Sequence, residues 1–100
     1  MYRPLPENLR LGFSDIHDIG VFAKEKIEKG QNLGMSHLKV GSELIRTPLG
    51  GFINHSDRPN CTKAKLRYTN FDYVKWNLVA LKDIKKDEEL TVEYTFYKIY

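Results

Sequence analysis

The stretch CTKAKLRYTNFDYVKWNLVAL, residues 61–81, decides the fold class. Thr62, Ala64, Leu66 and Tyr68 fall on alternate positions with Lys63, Lys65 and Arg67 between them. After a turn over Thr69 to Asp72 the alternation resumes in Val74, Trp76, Leu78 and Ala80. Successive side chains of a strand point to opposite faces, so this period of two predicts a β-hairpin with Thr62, Ala64, Leu66 and Tyr68 on one face and the basic residues on the other.

The flanks repeat the signal. Leu9, Leu11 and Phe13 alternate with polar neighbours, and Gly20 to Ala23 is a short apolar piece able to pair with them. Glu25 to Lys29, closed by Gly30, reads as one helical turn or a tight turn. Gly50 and Gly51 break the chain before Phe52 and Ile53, and Pro59-Asn60 breaks it again before the hairpin. Ile84 to Glu89 is a charged turn leading into a short strand, Leu90-Thr91-Val92, and an aromatic tail with Tyr94, Phe96, Tyr97 and Tyr100. Apolar positions at helical spacing are scarce, so the chain reads as mainly β.

One hundred residues with 41% hydrophobic side chains suit a single domain with a modest core, which a bound cofactor or a subunit contact would stabilise. A net charge of +3 with 29% charged residues of both signs is a mixed, mildly basic surface; it permits nucleic-acid binding without indicating it. The basic residues around the hairpin read as scattered solvated charges. Cys61 stands alone, which excludes an intramolecular disulfide and a cysteine-built zinc cluster and fits a reducing interior. The first ten residues lack a signal-peptide apolar run, and no segment has the roughly 18 apolar residues of a membrane span. A soluble, cytoplasmic protein is expected, or one inside a host cell.

Chemistry concentrates in Asn54-His55-Ser56-Asp57-Arg58, a polar segment hemmed in by apolar residues. An asparagine offers two donors and an acceptor, which suits a polar ligand such as a nucleoside or an amino acid; an Asx turn satisfying its own backbone is the plainer alternative. His17, His37 and His55 are too scattered to specify a metal, and Cys61 has no positioned base beside it. No glycine-rich phosphate loop is present.

Several segments, in chain order, resemble the SET-domain family of protein lysine methyltransferases. Phe52-Ile53-Asn54-His55-Ser56 with Pro59-Asn60-Cys61 resembles the family's F-I-N-H-S-x-x-P-N-C signature. Ile84 through Glu88-Glu89-Leu90-Thr91-Val92-Glu93-Tyr94 resembles I-x-x-G-E-E-L-T-x-D-Y. Upstream, Asp18-Ile19-Gly20-Val21-Phe22-Ala23 is similar to G-x-G-x-F-A, and Ile27-Glu28-Lys29-Gly30 to the I-x-K-G turn after it. The resemblance covers about residues 10–97 of a single domain, 1–100.

The resemblance implies a fold of small curved sheets with a C-terminal pseudoknot that brings Asn54 and His55 beside Tyr94. It implies S-adenosyl-L-methionine as cofactor, protein lysine side chains as substrate and Tyr94 as the catalytic tyrosine. His17, Asp18, Ile19 and Gly20 would pass along the methionine part of the cofactor. Asn54 would bond its amino-acid moiety, the His55 main chain would read the adenine, and Phe96 or Tyr97 would cover the ring. Phe52, Val92 and Tyr97 would line the lysine channel. Arg46 is a further guess, for the cofactor carboxylate, made from charge chemistry alone.

Departures from the pattern carry expectations of their own. Asp18 and Asp87 replace glycines at turns that can require positive φ, which aspartate tolerates better than most residues. The segment from Gly30 to Gly51 is far shorter than the family insert that supplies a second channel tyrosine, and no tyrosine lies between Tyr2 and Tyr68. Phe13, Phe22 or Phe52 would then line the channel, or a second subunit would; resemblance to small viral-type members favours a homodimer. The family's flanking zinc-binding cysteines are absent, so no metal is expected. The alternative is a SET fold that has lost catalysis and serves as a binding or dimerisation module.

Overall fold

The computed structural model describes residues 5–67 and 73–94. Among the described residues eight strands and one short helix run in the order β1 (Leu9–Phe13), β2 (Ile19–Ala23), β3 (Asn32–Val40), β4 (Glu43–Arg46), α1 (Pro48–Phe52), β5 (Asn54–His55), β6 (Cys61–Arg67), β7 (Tyr73–Ala80) and β8 (Glu89–Val92). They form two four-stranded sheets, β1-β2-β8-β5 and β4-β3-β7-β6. The core lies between them, with Val21, Ile27, Leu78, Ile84 and Leu90 fully buried. Among the described residues no helix is long and apolar enough to cross a membrane.

β1 and β2 pair antiparallel from Leu9 opposite Ala23 to Phe13 opposite Ile19, as the alternation predicts. Leu9 alone of the three alternating apolar residues of β1 is buried; Phe13 is 89% exposed. The turn after β2 is closed by Gly30 at φ 87°. It docks on the matching turn before β8 through a reciprocal pair of backbone bonds between Ile27 and Ile84, both 2.8 Å.

The β6–β7 hairpin exists with β6 alternating as expected, and the face that carries its lysines is the one shared with Leu78 and Trp76. Cys61 lies opposite Ala80, Lys63 opposite Leu78 and Lys65 opposite Trp76. Directly opposed residues share a face, so the lysines stand beside the apolar residues of β7, whereas Leu66 is 44% exposed. The lysine stems are apolar and can cover such neighbours while the ammonium stays wet. Lys65 Nζ lies 6.0 Å from the Trp76 ring centroid, and burial holds the Lys63 ammonium below the usual lysine range. The expected turn, Thr69 to Asp72, and Tyr68 lie outside the described residues.

The hairpin of β3 and β4 and the helix α1 are new relative to the sequence reading. β3 and β4 form a hairpin inside the shortened segment. The supposed break at Gly50-Gly51 is instead α1, whose N-cap Thr47 accepts a bond from the Gly50 N–H on Oγ1 and which has Pro48 in its first turn.

β8 is the strand that builds the site. It pairs antiparallel with β2 and parallel with β5, Asn54 opposite Thr91 and His55 opposite Val92. The last part of the chain therefore enters between two earlier strands, the arrangement that a pseudoknot requires. Asn60 ties the insertion down: its Nδ2 donates to Glu89 O at 2.8 Å and its Oδ1 accepts from Thr91 N–H at 2.8 Å.

Candidate active site

Two adjoining cavities, about 370 and 410 Å³, open where the loop before β2, the start of β5 and Tyr94, two residues after β8, meet. His17, Asn54 and Tyr94 line both; Ile16 and His55 complete one, and Asp18, Ile19, Gly51 and Phe52 the other. Small-molecule sites occupy roughly 300–1,000 Å³. Most of the predicted residues are therefore brought together, although 37 positions separate His17 from Asn54 in sequence.

Asn54 is buried, and its amide is oriented by chemistry. Nδ2 donates to Glu89 Oε2 at 2.9 Å, His17 O at 3.1 Å and Ser14 Oγ at 3.1 Å, with Ile19 O at 3.5 Å. The carboxylate and carbonyl oxygens only accept, so the nitrogen must face them. Among the described residues none of these bonds uses Oδ1. Gly20 is buried beside this network: a Cβ there would collide with the Glu89 carboxylate and approach Asn54 Nδ2 to 3.1 Å.

Ser14 and Glu89 are the site residues that sequence reasoning missed. Ser14 Oγ donates to the Glu89 carboxylate at 2.7 Å and accepts the N–H groups of Ile16 at 2.9 Å and His17 at 3.3 Å. The serine thereby shapes the loop that carries His17 and Asp18. That loop also needs Asp18 at φ 37°, and Asp87 stands at φ 69°, so both aspartates adopt the positive φ expected of them.

His55 and Tyr94 form a second unit. Tyr94 N–H donates to His55 Nδ1 at 2.9 Å, which places the imidazole proton on Nε2, where it is donated to Asp57 Oδ1 at 3.0 Å. The Tyr94 hydroxyl donates to Ile53 O at 2.6 Å, and its ring centroid lies 5.2 Å from that of His55. Tyr94 is thus fixed at its backbone and at its hydroxyl while remaining half-buried at the cavity wall.

Other predicted residues lie elsewhere. Val92 is 2% exposed in the core and lines neither cavity. Arg46 is on β4 opposite His37 in the other sheet. Of the three candidate phenylalanines Phe52 reaches a cavity; Phe13 projects into solvent, and Phe22 packs under the Arg10 guanidinium at 4.8 Å. Phe96 and Tyr97 fall outside the described residues. Cys61 is buried, and burial, with the Glu88 charge adding, pushes its thiol up to about 12, so it is no nucleophile.

The SET-domain family profile matches residues 34–95, more than half of the chain. The chain belongs to the SET-domain family. This SET domain is 41% identical to the H3 lysine-4 specific histone-lysine N-methyltransferase of Aspergillus oryzae over an alignment of 119 positions, covering 88% of the chain and 10% of that protein. That alignment is longer than the matched part of the chain, so the relative carries extra residues within it. It is 33% identical to the Arabidopsis thaliana histone-lysine N-methyltransferase ASHH2 over 81 residues, 77% of the chain and 4% of that protein. This SET domain therefore spans only a small fraction of the curated relatives it matches. Among solved structures it superposes on a Plasmodium falciparum protein described as a candidate histone methyltransferase, with TM-score 0.74, 22% identity and coverage of 94% of this chain and all of that one. It also superposes on an inhibitor-bound Chaetomium thermophilum Polycomb Repressive Complex 2, with TM-score 0.69, 24% identity and coverage of 86% and 14%. These two likenesses concern the fold.

Proposed function

We propose that this SET domain is an S-adenosyl-L-methionine-dependent protein-lysine N-methyltransferase. The observation that carries the reading is the meeting of Asn54, His55 and Tyr94 at one pair of cavities, made by β8 lying between β2 and β5. The site fits the cofactor's chemistry: every bond of the Asn54 amide among the described residues is made by Nδ2, which leaves Oδ1 to accept from an ammonium. His17, Asp18 and Ile19 would flank the amino-acid part and His55 the nucleoside.

When bound, S-adenosyl-L-methionine supplies an activated methyl group on a sulfonium centre. The residues of the chain then have to orient and desolvate the acceptor. A lysine amine, with a pKa of about 10.4 when free, has a lone pair only once neutral. Phe52 and Ile16 give the cavities apolar walls, which disfavour the ammonium form. The Tyr94 phenol donates its proton to Ile53 O, so the lone pairs of Oη can accept an N–H from the amine and hold it in line. His55 is not the base, because Nδ1 is occupied by Tyr94 N–H and Nε2 carries the proton.

A homodimer completing the substrate groove is part of the same reading. The β3–β4 hairpin supports it: β4 is a sheet edge exposed along its whole length, and Val40, Leu44 and Ile45 face solvent there. Light scattering that gives only monomer at assay concentration would overturn this part.

The test is transfer of labelled methyl from S-adenosyl-L-methionine to a histone mixture and to a cell lysate, with wild type and Tyr94→Phe. Histones come first because the relatives are named for them. A labelled protein band that is lost in Tyr94→Phe, with calorimetric cofactor binding retained, is the expected result. Equal labelling by both proteins would remove Tyr94 from its role. Cofactor binding without label from either would favour a binding module.

A further inference from the structure

Glu89 is a half-buried carboxylate that the reaction as described above does not use. Its oxygens accept from Ser14 Oγ, at 2.7 and 2.8 Å, and from Asn54 Nδ2 at 2.9 Å, and among the described residues no cation is paired with it. A charged acceptor in a partly desolvated place makes the stronger kind of hydrogen bond. Such a bond polarises the amide it receives from and makes the far oxygen a better acceptor.

We propose that Glu89, with Ser14, is a positioning residue for cofactor recognition: it locks the Asn54 amide so that Oδ1 points at an ammonium, and it anchors the loop of residues 14–18 to β8. This rests on the reading of the site as a cofactor site. Three features converge on it. The Asn54 nitrogen has acceptors on several sides and cannot turn without losing them. Ser14 Oγ gives its one proton to Glu89 and receives the N–H groups of Ile16 and His17, so the loop that walls both cavities is set by the same carboxylate. Gly20 carries no side chain where one would displace Glu89.

The assignment concerns the amino-acid end of the ligand and not the nucleoside end, which makes it testable by ligand choice. Calorimetry on the full chain would compare wild type, Glu89→Ala and Glu89→Gln for S-adenosyl-L-methionine and S-adenosylhomocysteine. NMR titration would compare them for 5′-methylthioadenosine, which keeps the adenosine and lacks the amino acid. Glu89→Ala should weaken the two amino-acid-bearing ligands about tenfold or more, the scale of a lost charge-assisted bond, and shift methylthioadenosine affinity less than about twofold, since none of the amino-acid contacts is involved. Glu89→Gln keeps one acceptor for Asn54 and should fall between. Equal weakening of all three ligands, or of none, would overturn the assignment. If Glu89→Ala does not fold by circular dichroism, Ser14→Ala carries the same test and should show the same selectivity. Failure of wild type to bind any of the three would instead overturn the cofactor reading, and this inference with it.

Discussion

His37 sits in β3 with 2% of its surface exposed, Nδ1 3.0 Å from Ser36 Oγ. Burial, with the Lys63 and Arg46 charges adding, lowers its pKa from 6.5 to about 4. The unfolded chain binds this proton below about pH 6.5 while the folded one does not until about pH 4, so stability falls as pH drops through that window. A shift of that size is worth at most about 3 kcal/mol. Urea melts at pH 7 and pH 4.5 should show such a loss, and His37→Gln should shrink the pH-dependent part; an unchanged difference would contradict it. At this scale the sequence was legible where chemistry sits in a contiguous motif, as with Asn54, His55 and Tyr94. It was silent on Ser14 and Glu89, because their roles arise only when positions 75 apart in sequence come within bonding distance.

At the scale of elements, the legible strands are β1, β6, β7 and β8, whose sequences alternate with a period of two, and β2, read as a short apolar piece able to pair with β1. β3, the longest, went unread because its register shifts between Asn32 and Gly34 and again between Met35 and His37, and its buried positions Leu33, Ser36 and His37 do not alternate. α1 is too short for periodicity, and only the Thr47-Pro48 start signals it. The alternation of β6 separated its lysines from Ala64 and Leu66 but did not say that the lysine face is the one shared with Leu78 and Trp76, which only the pairing register shows. Two substitutions probe these elements. A Cβ on Gly50 would collide with the Ser36 carbonyl, a backbone group that cannot swing aside, so Gly50→Ala should lose about 2 kcal/mol or more by chemical denaturation. Asn60→Ala removes the partners of Glu89 O and Thr91 N–H and should cost roughly 1–3 kcal/mol for each backbone group left unpaired. Wild-type stability in either variant would mean the neighbouring chain relaxes freely.

At the scale of the molecule, alternation and composition could foresee a mainly β domain but not that residues 52–61 and 84–94 build one site; that came from the resemblance, and the strand order β2-β8-β5 accounts for it. A site spread over β2, β5 and β8 couples ligand binding to global stability. S-adenosylhomocysteine at 100 times its Kd should stabilise the fold by about 2.7 kcal/mol, which for about 100 residues raises Tm by roughly 10–20 °C. Asn54→Ala should abolish most of that rise, and an unshifted wild-type Tm at saturating ligand would contradict the coupling. The order of the strands also bears on how the protein is made. β8 leaves the ribosome after every other strand described, yet its place is inside the first sheet, with β2 and β5 on either side. Until residues 89–92 emerge, β2 and β5 present edges with nothing to pair. The nascent chain can therefore hold its second sheet early, whereas the sheet β1-β2-β8-β5, and the proposed cofactor site with it, closes only once β8 is made.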